Sequence, residues 1–353
     1  MSLNKCSHSR GPYEPLERLL VLLLADRDRD SVAPVRDTSS IIILNAPRLG
    51  RCFVKRLAIA LAALLVASAG LSACSSSKST DSSPGTTAKA DPSLAGLLPA
   101  DVKKSGVVLG ASSFTTPPLY TFESDGKTPS GVLVQLIENA AAHMGVKVRW
   151  SQLPYAGQVP ALESGKIQIT GSQYSATTEN KASTNIVGVY KNTLALVVPA
   201  KKKADYTSLS DACGKSFAAP LGSTIEAHAL DVVNKSCDSS HKSKLVRFPS
   251  APAALTAIKS GRVDGYFYSL ASANYAVKQS PSDFATVFTD EFEKYNSGFA
   301  VAKDATQLAD AFAAAFNATI KDGTYAEIMK KWDMASSLYS TSSSVNPSEV
   351  AQS

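Results

Sequence analysis

Two stretches of this chain echo each other: Ala161-Leu162-Glu163-Ser164-Gly165-Lys166-Ile167-Gln168-Ile169 and Ala257-Ile258-Lys259-Ser260-Gly261-Arg262-Val263-Asp264-Gly265. Each reads as the end of a helix, a Ser-Gly turn whose glycine takes the left-handed C-cap, and a basic residue leading into a buried strand. Two lobes built alike follow from the repetition. Each strand runs on into side chains suited to touching a ligand, Ser172-Gln173-Tyr174-Ser175 after the first and Tyr266-Phe267-Tyr268-Ser269 after the second. Ligands in open α/β sheets sit at the carboxyl ends of strands, so two such ends facing each other predict a cleft between the lobes.

The flanking sequence agrees. Val107-Val108-Leu109 reads as a first strand, and from Gly131 to Met144 apolar residues recur at helical spacing: Val132, Leu133, Leu136, Ile137, Ala140, Ala141 and Met144. Gly145 stops that helix. Val146, Val148 and Trp150 then alternate with polar residues as a half-buried strand does, completing a βαβ unit and hence a parallel sheet. Towards the C-terminus, Leu308, Ala311, Phe312, Ala315, Phe316 and Ile320 form one apolar helical face. Lys321-Asp322-Gly323 ends it, and Thr324 with Glu327 predicts a capping box for the next helix. After Trp332 the sequence turns to Ser, Thr and Asn, the composition of a frayed tail. The 353 residues exceed what a single core fills.

The N-terminal part has a different character. Leu57 to Gly70 is apolar, follows Lys55-Arg56 and is short for a permanent membrane span, which makes it the core of a secretory signal. Leu71-Ser72-Ala73-Cys74 follows it and matches the lipobox of bacterial lipoproteins, so lipidation of Cys74 is expected, with acyl chains holding the protein on the membrane. Ser75 to about Asp91 has almost nothing to bury and reads as a disordered tether. The charged first fifty residues, with Arg27-Asp28-Arg29-Asp30, are atypical ahead of a signal. Translation from a non-ATG codon near Val54 is therefore the expectation. The formal net charge is +6, and ten Lys and Arg against six Asp and Glu precede Cys74. Most of the excess thus belongs to the leader. Lys201-Lys202-Lys203 is the one basic run of three, a solvated loop by this reading, and a nucleic-acid partner is disfavoured.

Motifs for covalent or metal chemistry are missing from the sequence. His8, His143, His228 and His241 stand in no metal-ligand or triad spacing, and no Gly-x-Ser-x-Gly, phosphate loop or dinucleotide fingerprint occurs. An enzyme on such a fold, for example a dehydratase, needs a carboxylate in the cleft, for which Glu179 and Asp264 are the candidates. No cofactor and no metal are expected. Cys213 and Cys237, the two cysteines beyond Cys74, are predicted to form a disulfide because an exported protein folds outside the reducing cytosol.

From Ser105 to Asp333 the chain resembles the family-3 extracellular solute-binding proteins, the polar amino-acid receptors of ABC importers. The resemblance rests on Pro117-Pro118-Leu119-Tyr120, Asp125-Gly126, the helix from Gly131, Pro160 to Ile167, and Gly214-Lys215-Ser216. It continues with Gly222-Ser223-Thr224, Ser260 to Asp264, Ser297-Gly298-Phe299-Ala300-Val301, Asp322-Gly323-Thr324-Tyr325 and Lys331-Trp332. It implies a two-lobed α/β fold of the type II periplasmic-binding-protein kind, each lobe a mostly parallel sheet flanked by helices, with a hinge of two crossing strands. The expected division is an upstream extension over 1–53, a signal peptide over 54–73, and the lipidated cysteine and tether over 74–93. Lobe 1 follows over 94–192, lobe 2 over 193–295, a return to lobe 1 over 296–338 and a flexible tail over 339–353. The implied partners are a small polar organic ligand, ABC permease subunits and the membrane through the lipid anchor, for a protein acting as a monomer outside the cytoplasm. A ligand-sensing or protein-binding lipoprotein is the alternative.

Two departures bear on the ligand. The family usually carries an Arg that pairs bidentately with the ligand's α-carboxylate; in Thr177-Thr178-Glu179-Asn180 that place falls to Asn180. An Asp usually receives the α-ammonium a few residues after the second echoed turn, and here Ser269 occupies it. The remaining candidates are Gly222, Ser223 and Thr224, opening a helix whose free N–H groups suit an anion, and the aromatics Phe114, Tyr120, Tyr174, Tyr266 and Tyr268. Rings facing the cleft favour a planar or cationic group. With Ser172, Gln173 and Ser175, these complete the expected binding set.

Overall fold

The structure is a computed structural model and describes residues 88–334 and 340–351. The expected upstream extension, the signal segment, Cys74 and the tether up to residue 87 lie outside the described residues. In chain order come α1 (Pro92–Leu97), α2 (Ala100–Ser105), β1 (Val107–Ser112), β2 (Thr121–Phe122), β3 (Pro129–Ser130), α3 (Val132–His143), β4 (Lys147–Gln152), α4 (Tyr155–Glu163), β5 (Ile169–Thr170), β6 (Tyr174–Ser175), α5 (Thr178–Ser183) and β7 (Thr184–Asn192). Then follow β8 (Leu194–Pro199), β9 (Ser216–Pro220), α6 (Ile225–Lys235), β10 (Lys244–Phe248), α7 (Ala251–Lys259), β11 (Gly265–Ser269), α8 (Leu270–Gln279) and β12 (Phe284–Val287). Last are β13 (Tyr295–Ala302), α9 (Thr306–Lys321) and α10 (Thr324–Lys331).

Two sheets result. The first has the order β4-β1-β5-β13-β6 with β7 on β13, the second β10-β9-β11-β8-β12. The echoed stretches sit at matching places: α4 leads through Gly165 into β5, and α7 through Gly261 into β11, both glycines at positive φ. In each lobe three strands pair in parallel with the earliest of them in the middle, β4-β1-β5 and β10-β9-β11. The other half of each sheet is antiparallel and comes from the chain crossing between lobes: it leaves the first sheet after β7, enters the second at β8, and returns between β12 and β13. Both passages lie side by side, which makes them the hinge.

Apolar faces explain the packing. On α3 the residues read as one stripe, Val132, Leu133, Leu136, Ile137, Ala140 and Ala141, are fully buried. They share the core of the first lobe with Phe312 and Phe316 of α9, whose rings lie 5.3 and 5.7 Å from Phe299 of β13. Burial of each such ring stabilises the fold by about 1.5–3 kcal/mol. Gly131 starts α3 at φ 116°, where a Cβ would come within 2.5 Å of the Leu119 carbonyl oxygen. Among the described residues no helix is long and apolar enough to cross a membrane.

Two local expectations are corrected. α10 is not opened by a capping box, because Thr324 is its first residue and Gly323 its N-cap; Asp322 Oδ1 accepts from the Thr324 N–H instead. The polar stretch at the C-terminus is not frayed over residues 340–351. It runs along β7 and β13, where Asn346 N donates to Ile186 O at 2.7 Å, Gly188 N to Ser344 O at 2.9 Å and Ala351 N to Lys294 O at 2.7 Å. Backbone groups of the sheet hold this segment, so its side-chain composition carried little information about its order.

Candidate functional site

Carboxyl ends of strands from both sheets converge on one cavity of about 60 Å³. From the first lobe, the turn after β1 brings Ser113, Thr115 and Thr116, and the turn after β5 brings Gln173. From the second, Pro220 ends β9, Ser223 and Thr224 lead into α6, and Tyr266, Tyr268 and Ser269 come from β11. The cavity lies at the point in each sheet where strand order reverses about the central strand, the place open α/β sheets reserve for ligands. The lobes also touch directly beside it. Thr177 Oγ1 lies 3.3 Å from Thr224 Oγ1, His228 Nε2 lies 3.7 Å from Glu179 Oε1, and a Cβ on Gly222 would stand 3.1 Å from Ala156 Cα.

The expected binding residues separate into two groups. Tyr120, Gln173, Ser175, Asn180, Ser223, Thr224, Tyr266, Tyr268 and Ser269 line the cavity. Phe114, Ser172, Tyr174 and Gly222 do not. Phe114 packs on Phe122 and Trp150 in the core, at ring distances of 4.6 and 6.1 Å. Ser172 is fully buried behind the wall, where it accepts from Gln158 Nε2 at 2.9 Å and bonds Ser112 Oγ at 3.0 Å. Tyr174 stacks on the outer side of Tyr155 at 4.7 Å, and Gly222 makes the turn at φ 89° where the lobes meet. Tyr266 and Tyr268, two apart on β11 and therefore on one face, stack at 4.4 Å.

Both residues that stand at the family's charged positions are already engaged. Asn180 Nδ2 donates to the Ser175 carbonyl at 2.8 Å, and Ser269 Oγ donates to Asn192 Oδ1 at 2.7 Å. Neither candidate catalytic carboxylate enters the cavity: the Glu179 side chain is 55% exposed near His228, and Asp264 accepts from the Ser216 N–H at 2.9 Å.

Sequence reasoning missed Glu226. It sits in the first turn of α6, is 4% exposed, and lines the cavity. Its Oε2 makes no hydrogen bond, and the nearest cation, Arg247 Nη1, is 4.0 Å away with its donors spent on the Pro220 and Ser223 carbonyls. Burial pushes the carboxyl up to about 7, against the Ser223 hydroxyl, its own N–H, Arg247 and His228, which favour the ionised form. A signal was there to read: Glu226, Ala229 and Val233 fall at i, i+3 and i+7, so an acid stands on the buried stripe of α6. Tyr155, another lining residue missed along with Ser113, Thr115 and Thr116, had no such signal. Burial also raises the phenols of Tyr155, Tyr266 and Tyr268 and pushes Tyr120 up to about 12, so all four stay neutral and offer rings and hydroxyls.

The family of bacterial extracellular solute-binding proteins, family 3, matches residues 109–335. The chain belongs to that family. The L-cystine-binding protein of Bacillus subtilis is 26% identical over 76% of this chain and 94% of its own length. A second protein of that organism, named a probable amino-acid-binding protein, is 28% identical over 45% of this chain, which spans 57% of that relative. Among solved structures, an ancestral arginine-binding protein bound to arginine is 31% identical at a TM-score of 0.58, covering 64% of this chain and 98% of that one. The family-3 chain thus has the two-lobed fold of amino-acid-binding proteins. It is a receptor for a small polar solute, and the predicted Cys213–Cys237 disulfide is present.

Proposed function

We propose that this family-3 receptor works on the outer face of the membrane, held there by acyl chains on Cys74. There it captures a solute related to amino acids and hands it to the permease of an ABC importer. The observation that carries the reading is the cavity itself, set between two lobes and lined by residues of both. Relatives named for binding cystine and arginine support the solute class, and their being binding proteins supports capture rather than turnover. Residues 94–192 with 296–338, and 193–295, are the two lobes of this reading, and a monomer suffices because one chain supplies both walls. A thermal-shift screen of metabolites on the purified protein tests it. At least one small polar solute raises the midpoint, and a screen in which none does sinks the proposal. The anchor has its own test: a labelled fatty acid enters the wild type and not Cys74→Ala.

A further inference from the structure

The cavity's charge is lopsided. Of the side chains that line it, Glu226 is the one that carries a formal charge, and no Lys, Arg or His joins it among the described residues. Tyr120, Tyr155 and Tyr266 stand close enough for the Glu226 carboxylate to raise their phenols. The helix N-terminus expected to receive an anion already faces a carboxylate of its own chain, because Glu226 is bonded by Ser223 and by its own N–H. A ligand carboxylate would meet this acid and find no counter-charge. A ligand ammonium would meet a carboxylate that has no hydrogen bond on Oε2 and only a 4.0 Å ion pair with Arg247, in a cavity lined also by four tyrosines, groups that suit an organic cation.

Resting on the solute-capture reading, we infer that the cleft takes a compact organic cation without a free carboxylate, an amine or quaternary ammonium compound. Its charged nitrogen docks on the Glu226 carboxylate among Tyr120, Tyr155 and Tyr266. The cavity of about 60 Å³ holds on the order of four or five water molecules, so the occupant is small or holds the lobes further apart. The cation replaces the proton that Glu226 retains near neutrality. The groups that face this carboxyl are Arg247 from β10, His228 from α6 itself, Tyr120 and Tyr155 from the first lobe and Tyr266 from β11. Arg247 contributes from outside the cavity wall and donates to two carbonyls, so it does not displace the ligand.

Calorimetry with matched pairs tests this: agmatine against arginine, putrescine against ornithine, and choline alone. The decarboxylated member of each pair binds at least about tenfold tighter, the size of one misplaced buried charge at its mildest. Affinity for the tightest amine rises about tenfold per pH unit up to about 7 and then levels, since the cation competes with one proton. Glu226→Gln loses that affinity and its pH dependence while keeping a cooperative melting transition. Because the pH profile is read on the wild type, it decides the matter even if the variant folds poorly. Tighter binding of arginine or ornithine than of their amines, or no amine bound at millimolar concentration, overturns the inference. A neutral or acidic solute that stabilises the protein in the metabolite screen overturns the cation and leaves solute capture standing. If no solute of any class binds, capture itself has failed.

Discussion

At Glu226 binding and stability pull in opposite directions. An unfolded chain releases a glutamate proton near pH 4.3, and the fold holds this one up to about 7 because burial disfavours its charge. Below pH 4 both states are protonated and the residue costs nothing. As pH rises through this window the unfolded state loses the proton first, so stability falls and levels off above 7, by about 4 kcal/mol at most. Glu226→Gln removes the penalty. Urea unfolding at pH 8 should find the variant more stable than the wild type, with the two close together at pH 4.5; a variant less stable at pH 8 would show the carboxylate to be a structural partner of Arg247 instead. Asn180 and Ser269 make the complementary point. Since neither supplies a charge, free Arg, His, Gln and Glu should bind weakly, the missing pairs being worth about 2–5 kcal/mol. Micromolar affinity for any of them by calorimetry would contradict this. Asn180→Arg together with Ser269→Asp should restore part of the loss.

Each echoed turn is legible because its physics is local: a helix end, a glycine at positive φ and an entering strand lie within nine consecutive residues. The same holds for α3 and α9, whose apolar stripes are periodic. Residues 340–351 were not legible, because their partners are backbone groups of β7 and β13 far away in sequence, and backbone hydrogen bonds leave no side-chain trace. The site was half legible. Tyr266, Tyr268, Ser223 and Thr224 follow from strand ends and a helix start. The exclusion of Phe114 and Tyr174 follows from ring packing that only the fold reveals. α6 shows how an element serves the site, since the Cys213–Cys237 bridge joins the segment before β9 to the end of this helix, across 24 positions. Closing such a loop stabilises by roughly 3 kcal/mol in the chain-entropy model. Reduction should therefore lower the melting temperature, and intact mass should show two thiols alkylated only after reductant. Alkylation of both in denaturant alone would mean the bridge does not form in solution.

Across the whole molecule, the cavity's walls belong to two lobes joined only by the passages at β7–β8 and β12–β13. A cavity of about 60 Å³ lined by both of them gives a larger solute room only if they part. Among the described residues, polar contacts between them include Thr177 with Thr224, His228 near Glu179, and Lys278 with Asp333 at 3.1 Å, beside the apolar packing of Ala271 on the core of the first lobe. The exposed ion pairs among them contribute about 0–1 kcal/mol and weaken with salt, so the empty protein should open more readily as ionic strength rises. A ligand that touches both walls gains its second set of contacts only on closure, which turns binding into rotation about the hinge. Solution scattering should show a smaller radius of gyration at ligand saturation than in the empty protein. The difference should grow at higher ionic strength, where the empty form opens further. An empty protein already as compact as the saturated one, at low and high salt alike, would mean that the lobes are locked and that the solute enters by another route.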